Sequence, residues 1–173
     1  MRESLERAER QLKRVDHLIY VSLKYTRTVD ILKNTVGRII EAYDAAILAL
    51  MEFMKEKAAM EDIPKSPGLR TTVLKGKFGA DSPLNGFLDH YLRMREVFRS
   101  DFDSREEFRR NVTMIAKLKG EVIEITIDSI TGDYKRVKTF VALVKEYIGR
   151  EGQGDLKEML DHVELELEFD KRY

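Results

Sequence analysis

The chain has neither cysteine nor tryptophan and only three prolines in 173 residues. Without cysteine there is no disulfide, no thiolate zinc site and no cysteine nucleophile, and the composition suits a reducing compartment. Charge of one sign is also missing. Lys+Arg and Asp+Glu stand at 31 each, so no overall field steers the chain to nucleic acid or to an anionic membrane, and any such attraction has to be local. The first residues, Met1–Arg7, are charged and hold no signal-peptide core. The longest apolar run, Ala45–Met51, is far short of the ~20 residues that span a bilayer. We expect a soluble, cytoplasmic protein with no membrane partner. Charged residues make up 36% of the chain, a balance compatible with a thermophilic source.

Catalytic signatures are absent as well. No Gly-x-Ser-x-Gly, no His-Glu-x-x-His and no set-apart carboxylate pair occurs. The three histidines each follow an aspartate, in Asp16-His17, Asp89-His90 and Asp161-His162. Neighbours on a helix point ~100° apart, so none of these pairs chelates one ion unaided. Glu158 and His162, four residues apart, are the one half-site. No metal, no cofactor and no catalytic residue is expected.

What the chain does have is a heptad seam. Val15, Leu18, Ser22, Tyr25, Val29, Leu32, Val36, Ile39, Tyr43, Ala46, Leu50 and Phe53 follow one another in steps of three and four, with Ser22 the one polar member. Such a stripe has to be buried, against the same chain or a second copy. Residues 2–60 therefore read as helix. A continuous phase argues for one long helix, whereas Asn34–Gly37 or Tyr25–Thr28 offers a place to turn. The reading adopted is two helices with a break or kink.

Residues 61–82 read as a loop, marked by Pro64, Pro67, Gly68, Gly76 and Gly79. Ser82-Pro83 opens a helix to about residue 99, with Leu84, Phe87, Leu88, Tyr91, Met94 and Phe98 on one face. Ser104 and Glu107 resemble a capping box for a short helix over 104–110. Residues 112–118 and 121–127 then alternate around Lys119-Gly120 and predict a two-residue hairpin, with a β-branched helix as the rival. One register pairs Val112 with Ile127, Met114 with Ile125 and Ala116 with Ile123, and sets Thr113 against Thr126 on the other face. A helix over about 129–148 follows, with Ile130, Tyr134, Val137, Val141, Val144 and Ile148 inward and Gly149 as its stop. Asp155 with Glu158 opens a helix of one or two turns. The alternation Val163-Glu-Leu-Glu-Leu-Glu-Phe169 reads by its period of two as a third strand, with a helix, which Leu and Glu favour, as the alternative.

Three charged groupings stand out. Lys13, His17, Tyr20, Lys24 and Arg27 share a helix face, with Arg10 and Arg14 beside it. Cations around an aromatic ring and an imidazole suit phosphates and a stacked base. A solvated face opposite the seam would look the same. The stretch 63–80 carries Lys65, Arg70, Lys75 and Lys77 between glycines; it is not a Walker A loop, but its backbone could approach an anion. The last residues, 151–173, hold eight acids (Glu151, Asp155, Glu158, Asp161, Glu164, Glu166, Glu168, Asp170) against Lys157, Lys171 and Arg172. On a strand, Glu164, Glu166 and Glu168 would blunt an exposed sheet edge.

Ile31-Leu-Lys-Asn34, followed by Gly37-Arg-Ile-Ile-Glu-Ala-Tyr-Asp-Ala-Ala-Ile-Leu-Ala-Leu-Met-Glu52, resembles the second-helix region of HEPN domains, small helical bundles. The resemblance implies a bundle and, for ribonuclease members, an Arg and a His separated by four to six residues on a late helix. Beyond residue 60 no Arg stands so before a His. Arg10 and His17 have that spacing but precede the resembling segment.

The sequence thus predicts one α+β, mostly helical domain over 1–173: a long helical segment to residue 60, a basic loop over 61–82, and helices with the hairpin 112–127 over 83–173. Two functions follow as expectations. One is a non-enzymatic interaction module that self-associates, a dimer first, through the seam. The other is an RNA- or nucleotide-binding module using the basic helix face and the basic loop.

Overall fold

Burial of the seam organises the molecule. The computed structural model describes residues 1–169. Helix α1, Arg2–His17, continues through a π-helical turn, Leu18–Ser22, and a final α-turn, Leu23–Tyr25. After three residues comes α2, Val29–Glu56, which packs antiparallel to α1 within the same chain. Of the 28 residues of α2, 16 are buried, which makes it the central helix. It lies against α1, α4 (Leu84–Arg99) and α5 (Ile127–Gly149). From Val29 to Phe53 the seam residues are all buried.

The chain breaks at the second candidate position, Thr26–Thr28. Thr26 is extended and Thr28 caps α2, its hydroxyl accepting from Ile31 N at 3.4 Å. Asn34 and Gly37 lie inside α2 instead. Gly37 is there for space: a Cβ would sit 3.0 Å from the Phe98 ring. The seam itself needs a correction in α1. Tyr25 is 79% exposed, and Ile19 and Leu23 are the buried positions below Val15. A π-turn takes one extra residue per turn, so the inward phase slips from Leu18 and Ser22 to Ile19 and Leu23.

Residues 61–82 are not a loop throughout, for α3, Pro67–Phe78, runs through them. Pro67 opens that helix and Thr71 and Leu74 are its buried anchors. The hairpin forms as expected: β2, Thr113–Leu118, pairs with β3, Glu121–Ile125, placing Met114 opposite Ile125 and Ala116 opposite Ile123. Gly120 sits in the turn at φ +89°. The strands stop before Val112 and Ile127 can pair, because Thr126 caps α5 in a reciprocal box with Ser129.

The third strand is not 163–169. It is β1, Asp101–Arg105, antiparallel on the other edge of β2, in sheet order β1-β2-β3. Residues 104–110 accordingly form no helix. Residues 163–169 belong to α6, Leu156–Phe169, where Met159 and Val163 are buried one turn apart. Leu and Glu are strong helix formers, and their propensity prevails over the period-two pattern. Glu164, Glu166 and Glu168 therefore line no strand, and Asp170, Lys171 and Arg172 lie outside the described residues. One continuous core draws on all six helices and on β2 and β3. Among the described residues no helix is long and apolar enough to cross a membrane.

Candidate nucleic-acid interface

A cleft opens where the π-turn, the α1–α2 break and the N-terminus of α5 meet the sheet. It measures about 580 Å³. Ile19, Leu23 and Ile127 are its apolar lining residues, among mostly polar ones. Lys24, Arg27 and Arg110 stand on its rim. These three form no ion pair among the described residues. Arg105, also on the rim, is held by two 2.9 Å bonds to Glu124, which raise its pKa. Glu106 and Asp128 are the cleft's acids. The first turn of α5 adds the positive end of a helix dipole, which Asp128 partly offsets.

The wall carrying Arg110 is the turn after β1. Val29 N, in the first turn of α2, donates to both carboxylate oxygens of Glu107, at 3.2 and 3.3 Å. Phe108 N donates to Arg27 O at 2.7 Å. The Glu107 carboxylate thus satisfies a free N–H at the positive end of α2. In the sequence Glu107 reads as the cap of its own helix; in the fold it caps another.

The predicted basic stripe is divided. Lys24 and Arg27 reach the cleft. Lys13, Arg14 and His17 line a separate groove of about 340 Å³ with Arg38 of α2. Arg10 approaches Glu6 at 4.0 Å. Tyr20 sets its ring edge-on to Tyr134 at 6.5 Å. The residues of 63–80 do not join the stripe, and none of the four cations there lines the cleft. Arg70 bonds Pro64 O at 2.7 Å, Lys77 bonds Ala59 O at 2.6 Å, and Lys75 pairs with Asp89; Lys65 is exposed.

Sequence reasoning missed Arg110 and the exposed Phe108. The available signal was Phe108-Arg109-Arg110, an aromatic beside two cations, hidden by the helix expected there. A polar network in the core also went unread. The Tyr43 hydroxyl lies 2.9 Å from His90 Nδ1, and His90 Nε2 lies 2.8 Å from Asp133 Oδ1. A carboxylate only accepts, so a neutral His90 donates from Nε2 to Asp133 and accepts from Tyr43 at Nδ1. Among the described residues no cluster of three or more His, Asp or Glu is arranged to hold a metal ion. Comparison with known proteins matches the chain to no family model, no curated protein and no solved structure.

Proposed function

We propose that the protein is a binding module for a nucleotide or nucleic acid, with the π-turn cleft as its phosphate site. The observation that carries this reading is the trio Lys24, Arg27 and Arg110, three cations that form no ion pair among the described residues and line a cleft of about 580 Å³ in which Glu106 and Asp128 are the acids. In the stretch 63–80 three of the four cations are engaged, Lys75 by Asp89 and Lys77 and Arg70 by backbone carbonyls, whereas Lys13, Arg14 and His17 line a smaller groove of their own. Unpaired cations beside a few apolar side chains suit a ligand with charged oxygens and a flat ring. The resemblance of residues 31–52 to HEPN domains, a stretch that lies within α2, adds RNA to the ligands worth offering.

The test is fluorescence anisotropy with a short labelled RNA. Three phosphate contacts to a single strand predict a slope of about −2 in log K against log salt, or about 20-fold weaker binding on going from about 50 to about 200 mM salt. Lys24→Glu, Arg27→Glu and Arg110→Glu each weaken binding and flatten that slope by about 0.7. Arg70→Glu, outside the cleft, leaves binding as it is. Binding that ignores salt, or that survives all three cleft substitutions, refutes the reading.

Self-association is the second reading. The seam no longer argues for it, being buried within one chain, but Tyr20, Val21, Tyr25 and Phe108 are exposed around the π-turn and the break. A second copy covering them would bury that apolar surface. Sedimentation velocity from low to high micromolar protein then shows a monomer–dimer shift that Tyr25→Ser abolishes. A sedimentation coefficient constant over the range disposes of it.

A further inference from the structure

We infer that a nucleic acid held by the cations of the cleft is single-stranded, and that Tyr25 and Phe108, outside the cleft lining, are the rings on which its flanking bases stack. The inference rests on the nucleic-acid reading above and deepens it. Of the described aromatic side chains these two are the most exposed, at 79% and 76%. Neither lines the cleft, but both are linked through the backbone to Arg27, which does. Tyr25 precedes Arg27 by two residues and ends the α1 helical run. Phe108 is tied to Arg27 by the 2.7 Å bond from its own N–H to the Arg27 carbonyl.

Phe108 is also held where it is. It sits at φ +64°, and Glu106, two residues before it, at φ +55°. Residues with a Cβ seldom adopt this left-handed region, and they persist there only when the surroundings dictate it. Here the dictating contacts are the Glu107 bonds to Val29 N and the Phe108 bond to Arg27 O. The turn therefore keeps an exposed phenyl side chain on a backbone that is bonded to that of Arg27.

A ring so placed distinguishes nucleic-acid forms. In a duplex the base faces are covered by neighbouring bases, and only edges are offered. An unpaired base offers its face, and stacking on an aromatic side chain tolerates any sequence. The cleft's volume of about 580 Å³ falls within the ~300–1,000 Å³ of small-ligand sites, the scale of single nucleotides taken one at a time.

The experiment titrates the full chain with labelled single-stranded RNA, single-stranded DNA of the same sequence, and the corresponding duplex. Wild type, Tyr25→Ala, Phe108→Ala and Arg110→Glu are compared, with thermal melts to confirm that all four are folded. The expected result is tighter binding of single strand than of duplex. Each alanine variant weakens single-strand binding by about five- to 150-fold, the range for loss of one stacked base, while the salt slope stays that of wild type. RNA and DNA strands report the role of the sugar, and stacking is supported whichever of them binds tighter. If the alanine variants bind like wild type while Arg110→Glu does not, stacking is wrong and the phosphate reading stands. If wild type binds none of the three, both fall. If the alanine substitutions instead change the sedimentation coefficient of the protein alone, the rim is a protein contact and the inference is overturned.

Discussion

Phe140→Ala is expected to remove about 3–5 kcal/mol of stability, the range for deleting a buried aromatic ring. Phe140 is wholly buried on α5. Its ring centroid lies 5.1 Å from that of Tyr43 on α2 and 5.6 Å from that of Phe87 on α4. It therefore joins the three helices that surround the centre of the bundle. Deleting it loses the transfer energy of the ring and leaves a cavity that α2, itself buried on most sides, cannot move in to fill. Set against a total stability of roughly 5–15 kcal/mol for a domain, the loss is severe. Urea denaturation followed by circular dichroism should show the midpoint falling at an unchanged m-value. Val122→Ala on β3, where the side chain is 62% exposed, is the control and should stay within about 0.5 kcal/mol of wild type. A Phe140→Ala loss below about 1 kcal/mol would remove this aromatic contact from the centre of the core.

What the sequence disclosed and what it withheld divide along the range of the interactions involved. The hairpin was legible to the register because Met114, Ala116, Ile123 and Ile125 lie within twelve residues and the Lys119-Gly120 turn is local. Strand β1 was not. Of its five residues only Phe102 is apolar, and its charged members find partners only in the folded sheet: Asp103 pairs with Lys117 at 2.6 Å, and Arg105 reaches across β2 to Glu124. Helix α3 was obscured by Gly68 and Gly76, which read as loop, although Pro67 stands where a helix begins. The break before α2 was narrowed to two places. The choice between them rests on Glu107, whose bonds to Val29 N cross 78 residues of chain.

The candidate site follows the same rule. Lys24 and Arg27 were legible as members of a basic helix face, although only Lys24 lies in the last turn of the α1 run and Arg27 stands in the break after it. Arg110 and Phe108 were not, because the turn bearing them is positioned by contacts to α2 that no local pattern encodes. The basic stretch 63–80 misled for the converse reason. Its cations are freely spaced in sequence, but the fold binds Arg70, Lys75 and Lys77 to oxygens nearby. Charge counted along a chain overstates the charge a ligand meets.

Alkaline pH should unfold the protein through its buried tyrosines. Burial pushes the hydroxyl pKa of Tyr43, Tyr91 and Tyr134 well above the ordinary tyrosine value of 10.0. Carboxylates strengthen the effect. Tyr91 donates to Asp44, Tyr134 donates to Asp16 at 3.1 Å, and Asp133 lies behind the His90 that faces Tyr43. In the unfolded chain these hydroxyls ionise near pH 10; in the fold they keep their protons. Above that pH the native state binds more protons than the unfolded state, so stability falls as pH rises, at about 4 kcal/mol per pH unit for three such groups. Below the unfolded value the contribution is complete and pH has no effect through these groups. Urea midpoints measured at about pH 9, 10 and 11 should therefore fall by the equivalent of about 1 kcal/mol between the first two and about 3 kcal/mol more by the third. Tyr43→Phe, which removes one titrating hydroxyl and leaves the ring contacts with Tyr91 and Phe140 in place, should reduce the slope by about a third. A midpoint unchanged up to about pH 11 would mean that these hydroxyls ionise as readily in the fold as in water, which their burial beside carboxylates forbids.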